Sequence, residues 1–151
     1  MNDAGVVLVV GHIGMMCRAI LWNPITGTVD IIGGMTGIYP MAISANGTVL
    51  GKSNDHDGNS IAWLATLNGY WETLGTEPGF YATSMNNMGD IVGATVLEGY
   101  EKPWLRQASG EIVWLPYFDQ HGCRPCAINA SGIIVGTAQT DHGIHALIWT
   151  P

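Results

Sequence analysis

The chain is built from an internal repeat, in which a unit of about 42 residues recurs four times and the last copy is incomplete. The copies align on glycines that follow a turn-like motif, namely Gly5, Gly47, Gly89 and Gly132. An apolar run follows each glycine, and a tryptophan recurs further along, at Trp22, Trp63, Trp104 and Trp149. Units of this length cannot bury their apolar faces alone, so each copy is expected to pack against its neighbours.

The turn motif is clearest at Asn86 to Gly89 and at Asn129 to Gly132. Asn-x-x-Gly has a side-chain acceptor at the first turn position and a glycine at the fourth, which is typical of a type I turn that closes a β-hairpin. Strands are expected on both sides of the turn. The tryptophan segment predicts a third strand in each unit, and the segment after a second turn glycine predicts a fourth. We expect the recurring tryptophans to lie in the core between units.

Four-stranded units of this length predict an all-β repeat fold that resembles a β-propeller. The units are expected at about residues 1–34, 35–76, 77–117 and 118–151, within a single repeat domain. Three, four, four and three strands are expected, because the chain starts after one strand and ends before another. A four-bladed ring, an open array, completion by a second chain and a fragment of a longer protein all fit this count. A β-trefoil does not fit, because it has three repeats.

Charge composition excludes several classes of partner. The chain has 12 acidic and 5 basic residues and a net charge of −7. Few cations are present to replace phosphate counterions, so a nucleic-acid partner is not expected, and an anionic membrane surface is disfavoured for the same reason. The apolar run Val6–Val10 is too short to span a bilayer and has no signal-peptide flanks, so membrane insertion is not expected and the compartment stays open.

The sequence of the units is similar to the bacterial HAF repeat, a family named for a His-Ala-Phe triplet and described as extracellular. The similarity is carried by Met85–Gly93 and Ile128–Gly136, which share the Asn-x-x-Gly-x-Ile-Val-Gly core. His145-Ala146-Leu147 is the nearest match to the naming triplet, and the other copies depart further from it. The resemblance implies a propeller-like scaffold at the cell surface or outside the cell, and it implies no reaction.

Two loops carry residues that could bind a metal. Asp55, Asp57 and Asn59 alternate before and after a glycine, which resembles the start of a calcium loop, although the distant glutamate of an EF-hand is missing. The alternative is an ordinary polar loop. Asp141, His142 and His145 are also candidate ligands, but solvated loop histidines are the simpler interpretation. No other cofactor is expected.

The remaining candidates are cysteines and aromatic residues. Cys123 and Cys126 form a C-x-x-C that precedes a strand rather than a helix, so two structural thiols are expected, and a local disulfide or an adventitious metal is the alternative. Trp71 and Trp114 fall in the fourth strands, and Tyr100 is flanked by charged residues. These three are the predicted ligand-binding residues, for stacking on a sugar or on an apolar patch of a protein, and edge packing is the alternative.

The acids are scattered and no nucleophile elbow occurs, so the sequence does not favour an enzyme. The first hypothesis is a non-catalytic binding module whose variable loops bind a glycan or a protein. The second is a structural protein that forms assemblies, including homo-oligomers, through its incomplete terminal blades. The third is a hydrolase or metal-dependent enzyme with Asp55, His56 and Asp57 in a central channel.

Overall fold

A computed structural model describes residues 1–14, 16–32, 38–54, 57–75, 77–118 and 121–151 of the chain. The described residues form fourteen β-strands in four antiparallel sheets. Blade 1 contains β1 (Val7–Ile13), β2 (Met16–Trp22) and β3 (Val29–Ile32), and blade 2 contains β4 (Tyr39–Ile43), β5 (Val49–Asn54), β6 (Ser60–Ala65) and β7 (Trp71–Gly75). Blade 3 contains β8 (Phe80–Met85), β9 (Ile91–Leu97), β10 (Tyr100–Arg106) and β11 (Ile112–Trp114), and blade 4 contains β12 (Cys123–Ile128), β13 (Ile134–Thr140) and β14 (Gly143–Trp149).

Each blade is a meander in which neighbouring strands follow one another in the chain. The strand numbers of three, four, four and three confirm the count expected from the repeat. Among the described residues, blade 1 has no counterpart of the inner strands β4, β8 and β12, and blade 4 has no counterpart of the outer strands β7 and β11. No helix long and apolar enough to cross a membrane occurs in the described part of the chain.

The Asn-x-x-Gly turn has the predicted geometry. In blade 3 the Gly89 amide donates to the Asn86 carbonyl at 3.1 Å, and Gly89 has a φ of 96°. The Asn86 side-chain oxygen accepts hydrogen bonds from the amides of Met88 and Asp90. The Asn129 side chain makes the same two contacts in blade 4, with Ser131 and Ile133. The turn chemistry expected from the sequence is therefore confirmed.

The same turns also connect successive blades. The links are Asn2 Nδ2 to the Ser44 carbonyl at 2.8 Å, the Ala45 amide to the Asn87 carbonyl at 2.9 Å, and Asn86 Nδ2 to the Asn129 carbonyl at 3.1 Å. Serine is too short to span the gap, and in blade 2 a backbone amide makes the link instead. A hydrogen bond therefore joins each turn to the equivalent turn of the next blade.

Each sheet has a front face, which packs on the preceding blade, and a back face, which packs on the following one. The front face of blade 2 carries Val49, Trp63 and Ala65, which form one apolar cluster with the back face of blade 1. The back face of blade 2 carries Leu50 and Leu64, which cluster with Trp104 and its neighbours on blade 3. Blades 3 and 4 form a third cluster through Val92, Leu115, Ile128 and Ile134. The core is thus a series of interfaces between sheets.

Two of the recurring tryptophans occupy the position expected for them. Trp63 and Trp104 are fully buried and pair across the strands with Gly51 and Gly93. A Cβ at Gly51 would lie 2.0 Å from the Trp63 ring, so only glycine lets the indole lie flat on the sheet. Trp71 and Phe80 stack on these indoles, with ring centroids 4.5 Å and 4.6 Å apart.

Trp22 and Trp149 do not occupy the equivalent position. Trp22 pairs across the strands with Val7, and Trp149 pairs with Ile134. Each of these partners lies two residues before the position that Gly51 and Gly93 occupy in blades 2 and 3. Trp149 still packs on the cluster between blades 3 and 4, but Trp22 is 43% exposed. The expectation of a buried core tryptophan is therefore wrong for Trp22, because it lies on the front face of blade 1, against which no described blade packs.

Blades pack mainly on their neighbours in sequence. The inner strands β4, β8 and β12 make the closest approaches to the preceding blade. In the described residues, no strand of blade 1 packs extensively on a strand of blade 4. In the described part of the chain the four blades therefore form an open array rather than the closed four-bladed ring that the sequence also allowed.

Replacing Gly93 with alanine is expected to destabilise the protein by about 3 kcal/mol. The new Cβ would lie 2.1 Å from the Tyr81 carbonyl oxygen and 2.3 Å from the Trp104 ring, and the backbone cannot move aside. Chemical denaturation monitored by tryptophan fluorescence measures the change. Gly122→Ala is the matched control, because its Cβ would meet nothing closer than 3.5 Å. Equal stability of the two variants would contradict the packing described for Gly93.

Candidate functional site

A cavity with a volume of about 660 Å³ lies where blades 2, 3 and 4 converge, and we call it the central groove. The inner strands contribute Met41, Tyr81, Ala82, Thr83, Arg124 and Cys126 to its lining. Lys52, Ser60, Ala62, Glu101 and Thr137 complete the lining from the second and third strands. The groove exists because blades converge along their inner edges, so that three separate sheets present side chains to one space.

Two cations face the central groove. Lys52 and Arg124 are two of only five basic residues in a chain of net charge −7. Lys102 and Arg106 lie elsewhere and pair with glutamates at 3.6 Å and 2.8 Å. Among the described residues, no carboxylate lies within salt-bridge distance of either groove cation. The positive charges in the groove are therefore accessible to a ligand.

Tyr81 connects the groove residues of blades 3 and 4. Its hydroxyl donates a hydrogen bond to Oε1 of Glu101, and the Arg124 guanidinium lies 5.6 Å from the centre of its ring. Burial, the hydrogen bond to Glu101 and the Glu101 charge together raise the pKa of Tyr81 well above its ordinary value. The phenol is thus fixed in its neutral form, and it holds the Glu101 carboxylate in place.

The chemistry of the central groove is that of recognition. A guanidinium and an ammonium can donate to an anion, while the Glu101 carboxylate accepts hydrogen bonds from hydroxyl groups. Ser60, Thr83 and Thr137 add hydroxyls that both donate and accept. The lining thus offers both signs of charge and several hydroxyls to a polar ligand.

The three predicted ligand-binding residues lie outside the lining of the central groove. Trp71 is half-buried and stacks on Trp63, so one side of its ring is occupied by core packing. Trp114 is 53% exposed and lines a second cavity of about 430 Å³ between blades 2 and 3. Tyr100 is 42% exposed at the β9–β10 hairpin. Trp114 and Tyr100 therefore present accessible rings, and their roles in binding stay predictions.

The predicted calcium loop is described only in part. Asp55 and His56 lie outside the described residues, whereas Asp57 and Asn59 are exposed in the loop between β5 and β6. In the part of the chain that the structure describes, no three His, Cys, Asp or Glu side chains are grouped to hold a metal ion. The assignment of Asp55, Asp57 and Asn59 to calcium stays a prediction. Cys123 is buried and Cys126 exposed, and both are free thiols.

Sequence reasoning did not single out Lys52, Tyr81, Glu101 and Arg124. These residues are far apart in the chain, and of the four only Tyr81 and Arg124 share a position in the repeat, eight residues before the turn glycines Gly89 and Gly132. One signal was available, because cations are rare in this sequence and Arg124 lies on a predicted inner strand. The repeat alone does not say which strands face the central groove, so the cluster emerges only with the blade packing.

A spectrophotometric titration checks the environment of Tyr81. In the folded protein, Tyr81→Phe is expected to leave the tyrosinate absorbance gained near pH 10 unchanged, because Tyr81 stays protonated there. In denaturant, the wild type is expected to titrate one more tyrosine than the variant. The stability linked to the raised pKa is fully present below about pH 10 and is lost as the pH rises through the folded value. A smaller signal from the folded variant would contradict the assignment.

Comparisons with known proteins support the architecture. No family model matches the chain, and no curated protein matches its sequence. Solved structures do match, and one of them is TolB from Acinetobacter baumannii, a β-propeller protein, with a TM-score of 0.68 and 16% sequence identity. The alignment covers 99% of this chain and 42% of that chain, so this sequence spans less than half the length of TolB. At this identity the likeness concerns the fold alone, and the chain has the all-β, propeller-like architecture expected from its repeat.

Proposed function

We propose that the protein is a non-catalytic binding module whose ligand occupies the central groove. One observation carries the proposal: Lys52 and Arg124 face the same groove without a carboxylate partner in the described residues, although the chain is strongly acidic. A single exposed cation contributes mainly to solubility. Two cations beside fixed hydroxyls favour an anionic ligand.

The ligand proposed is a glycan that carries carboxylate groups. Arg124 and Lys52 would bind the carboxylate, and Glu101 would accept hydrogen bonds from sugar hydroxyls. A protein ligand is less favoured at this place, because protein hot spots fill apolar pockets and the groove lining includes charged and hydroxyl side chains. The charge of −7 leads us to propose no nucleic-acid ligand.

Two further elements of the proposal lie outside the groove. Trp114 and Tyr100 are exposed aromatic rings on blade 3, and we propose them as additional stacking positions for sugars. Calcium bound by Asp55, Asp57 and Asn59 would lie in the β5–β6 loop, which joins the strands of Lys52 and Ser60. Membership of the HAF repeat family would place the module at the cell surface, where glycans are common ligands.

The other two hypotheses rest on different parts of the molecule. An enzyme that uses Asp55, His56 and Asp57 has no described observation in its favour, because two of these residues lie outside the described ranges. An assembly role depends on the end faces of the blade array rather than on the central groove.

A glycan array that contains uronic-acid and neutral oligosaccharides, probed with and without calcium, tests the proposal. We expect selective binding of acidic glycans. Arg124→Ala and Lys52→Ala are each expected to weaken binding about tenfold or more, because a hydrogen bond to a charged group contributes about 1.5–3 kcal/mol. Lys102→Ala removes the same charge outside the groove and is the matched control.

Each outcome of the glycan-array experiment tests a different part of the proposal. Binding of acidic glycans that is unaffected by Arg124→Ala and Lys52→Ala would exclude the central groove as the site. If Trp114→Ala abolishes binding instead, the ligand occupies the cavity between blades 2 and 3. Calcium dependence would support the loop of Asp55, Asp57 and Asn59. A blank array with folded protein would reject the glycan proposal.

A further inference from the structure

The open array leaves one front face and one back face uncovered. Each of the three interfaces inside the chain joins the back face of one blade to the front face of the next. The front face of blade 1 and the back face of blade 4 are the remaining pair. These two surfaces are therefore the two halves of the interface that the chain already forms three times.

The back face of blade 4 carries apolar residues at positions that are buried in the inner blades. Val135 occupies the position of Leu50 and Val92, both fully buried, yet Val135 is 43% exposed. Its cross-strand partner Ile148 is 68% exposed, whereas Leu64, the partner of Leu50, is only 6% exposed. The side chains along β13 alternate between buried positions and more exposed ones, as expected for a sheet covered on one face.

The front face of blade 1 is also apolar and uncovered. Trp22 is 43% exposed, and its neighbours Val29 and Ile31 on β3 are 57% and 52% exposed. Val9, which lies across from Ile20 on the same face, is 41% exposed. Large side chains grouped on one sheet face are unusual on a solvated surface and mark an interaction site.

The side-chain amide of Asn129 in blade 4 is equivalent to the groups that link the turns of successive blades. Asn2 and Asn86 each donate their side-chain amide to the carbonyl of the equivalent residue in the next turn. The Asn129 side-chain oxygen holds its own turn in the same way, but its Nδ2 has no acceptor among the described residues. A further turn packed on blade 4 would supply that acceptor, as Ser44 and Asn129 do for the preceding blades.

We propose that the back face of blade 4 binds the front face of blade 1 of a second copy of this chain. Val135 and Ile148 would then pack against Trp22, Val29 and Ile31 of the other copy. The Asn129 amide would donate to the carbonyl of residue 2 of that copy, which repeats the link between Asn86 and Asn129. Because the two faces differ, the contact is head to tail and each added copy presents the same two faces again. This association is independent of the ligand proposed for the central groove.

Sedimentation velocity over a wide range of protein concentration tests the association. The wild type is expected to increase in mass beyond a dimer as the concentration rises. Val29→Asp damages the front face and Ile148→Asp the back face, so each variant alone is expected to associate at least tenfold more weakly. Leu67→Asp changes a comparably exposed leucine in the β6–β7 turn and is expected to leave association unchanged.

Mixing the two variants distinguishes a head-to-tail contact from any symmetric one. The intact back face of the Val29→Asp protein can bind the intact front face of the Ile148→Asp protein, so an equimolar mixture is expected to form a dimer that grows no further. In a symmetric dimer built on blade 4, Val29→Asp would associate like the wild type, which would overturn the proposal. A wild type that stays monomeric at every concentration would also overturn it.

Asn129→Asp tests the polar link without disturbing the turn. Aspartate keeps the oxygen that accepts from Ser131 and Ile133 but loses the amide donor. We expect several-fold weaker association and an unchanged melting temperature. Association equal to that of the wild type would show that the link seen between the inner blades is not used between copies. Circular dichroism of all four variants verifies their fold, which the exposure of the substituted side chains should preserve.

Discussion

In blades 1 and 3 the asparagine side chain at the first position of the turn connects the local structure of the blade to its packing on the next blade. Its oxygen holds the turn, as Asn86 does for Met88 and Asp90, and its amide reaches the next blade. The distance between blades is thereby fixed at their inner edges, where the sheets approach most closely. The apolar clusters between sheets then form at a spacing that the turns have set, and the buried indoles fit because glycine opposes them.

Convergence of the inner edges also determines where function can lie. Residues from three sheets meet in the central groove, and apart from Ala62 and Ala82 its lining lies outside the apolar clusters between the sheets. The groove residues can therefore vary without loss of the scaffold, as is usual for repeat proteins with a shared binding surface. Tyr81 and Glu101 illustrate the division, because they are linked to each other and belong to none of the three apolar clusters.

Much of the fold was predictable because the repeat encodes it several times. The Asn-x-x-Gly turn, the four strands of a unit and the number of strands in each blade follow from residue type and spacing. The alignment of Trp22 and Trp149 with the core tryptophans failed because it matched residue types rather than cross-strand partners. The central groove was not predictable, since Lys52 and Arg124 belong to different blades and only the packing of the sheets brings them together.

The packing of each blade on its sequence neighbours has a consequence for the folding of the chain. Its long-range contacts join segments about one repeat apart, so the order of blades is built up through local steps rather than through one closing event. The free energy of such an array is close to a sum over blades and nearest-neighbour interfaces. Blades 2 and 3 each take part in two interfaces and blades 1 and 4 in one, so amide protection from solvent exchange should decrease from the middle of the array towards both ends.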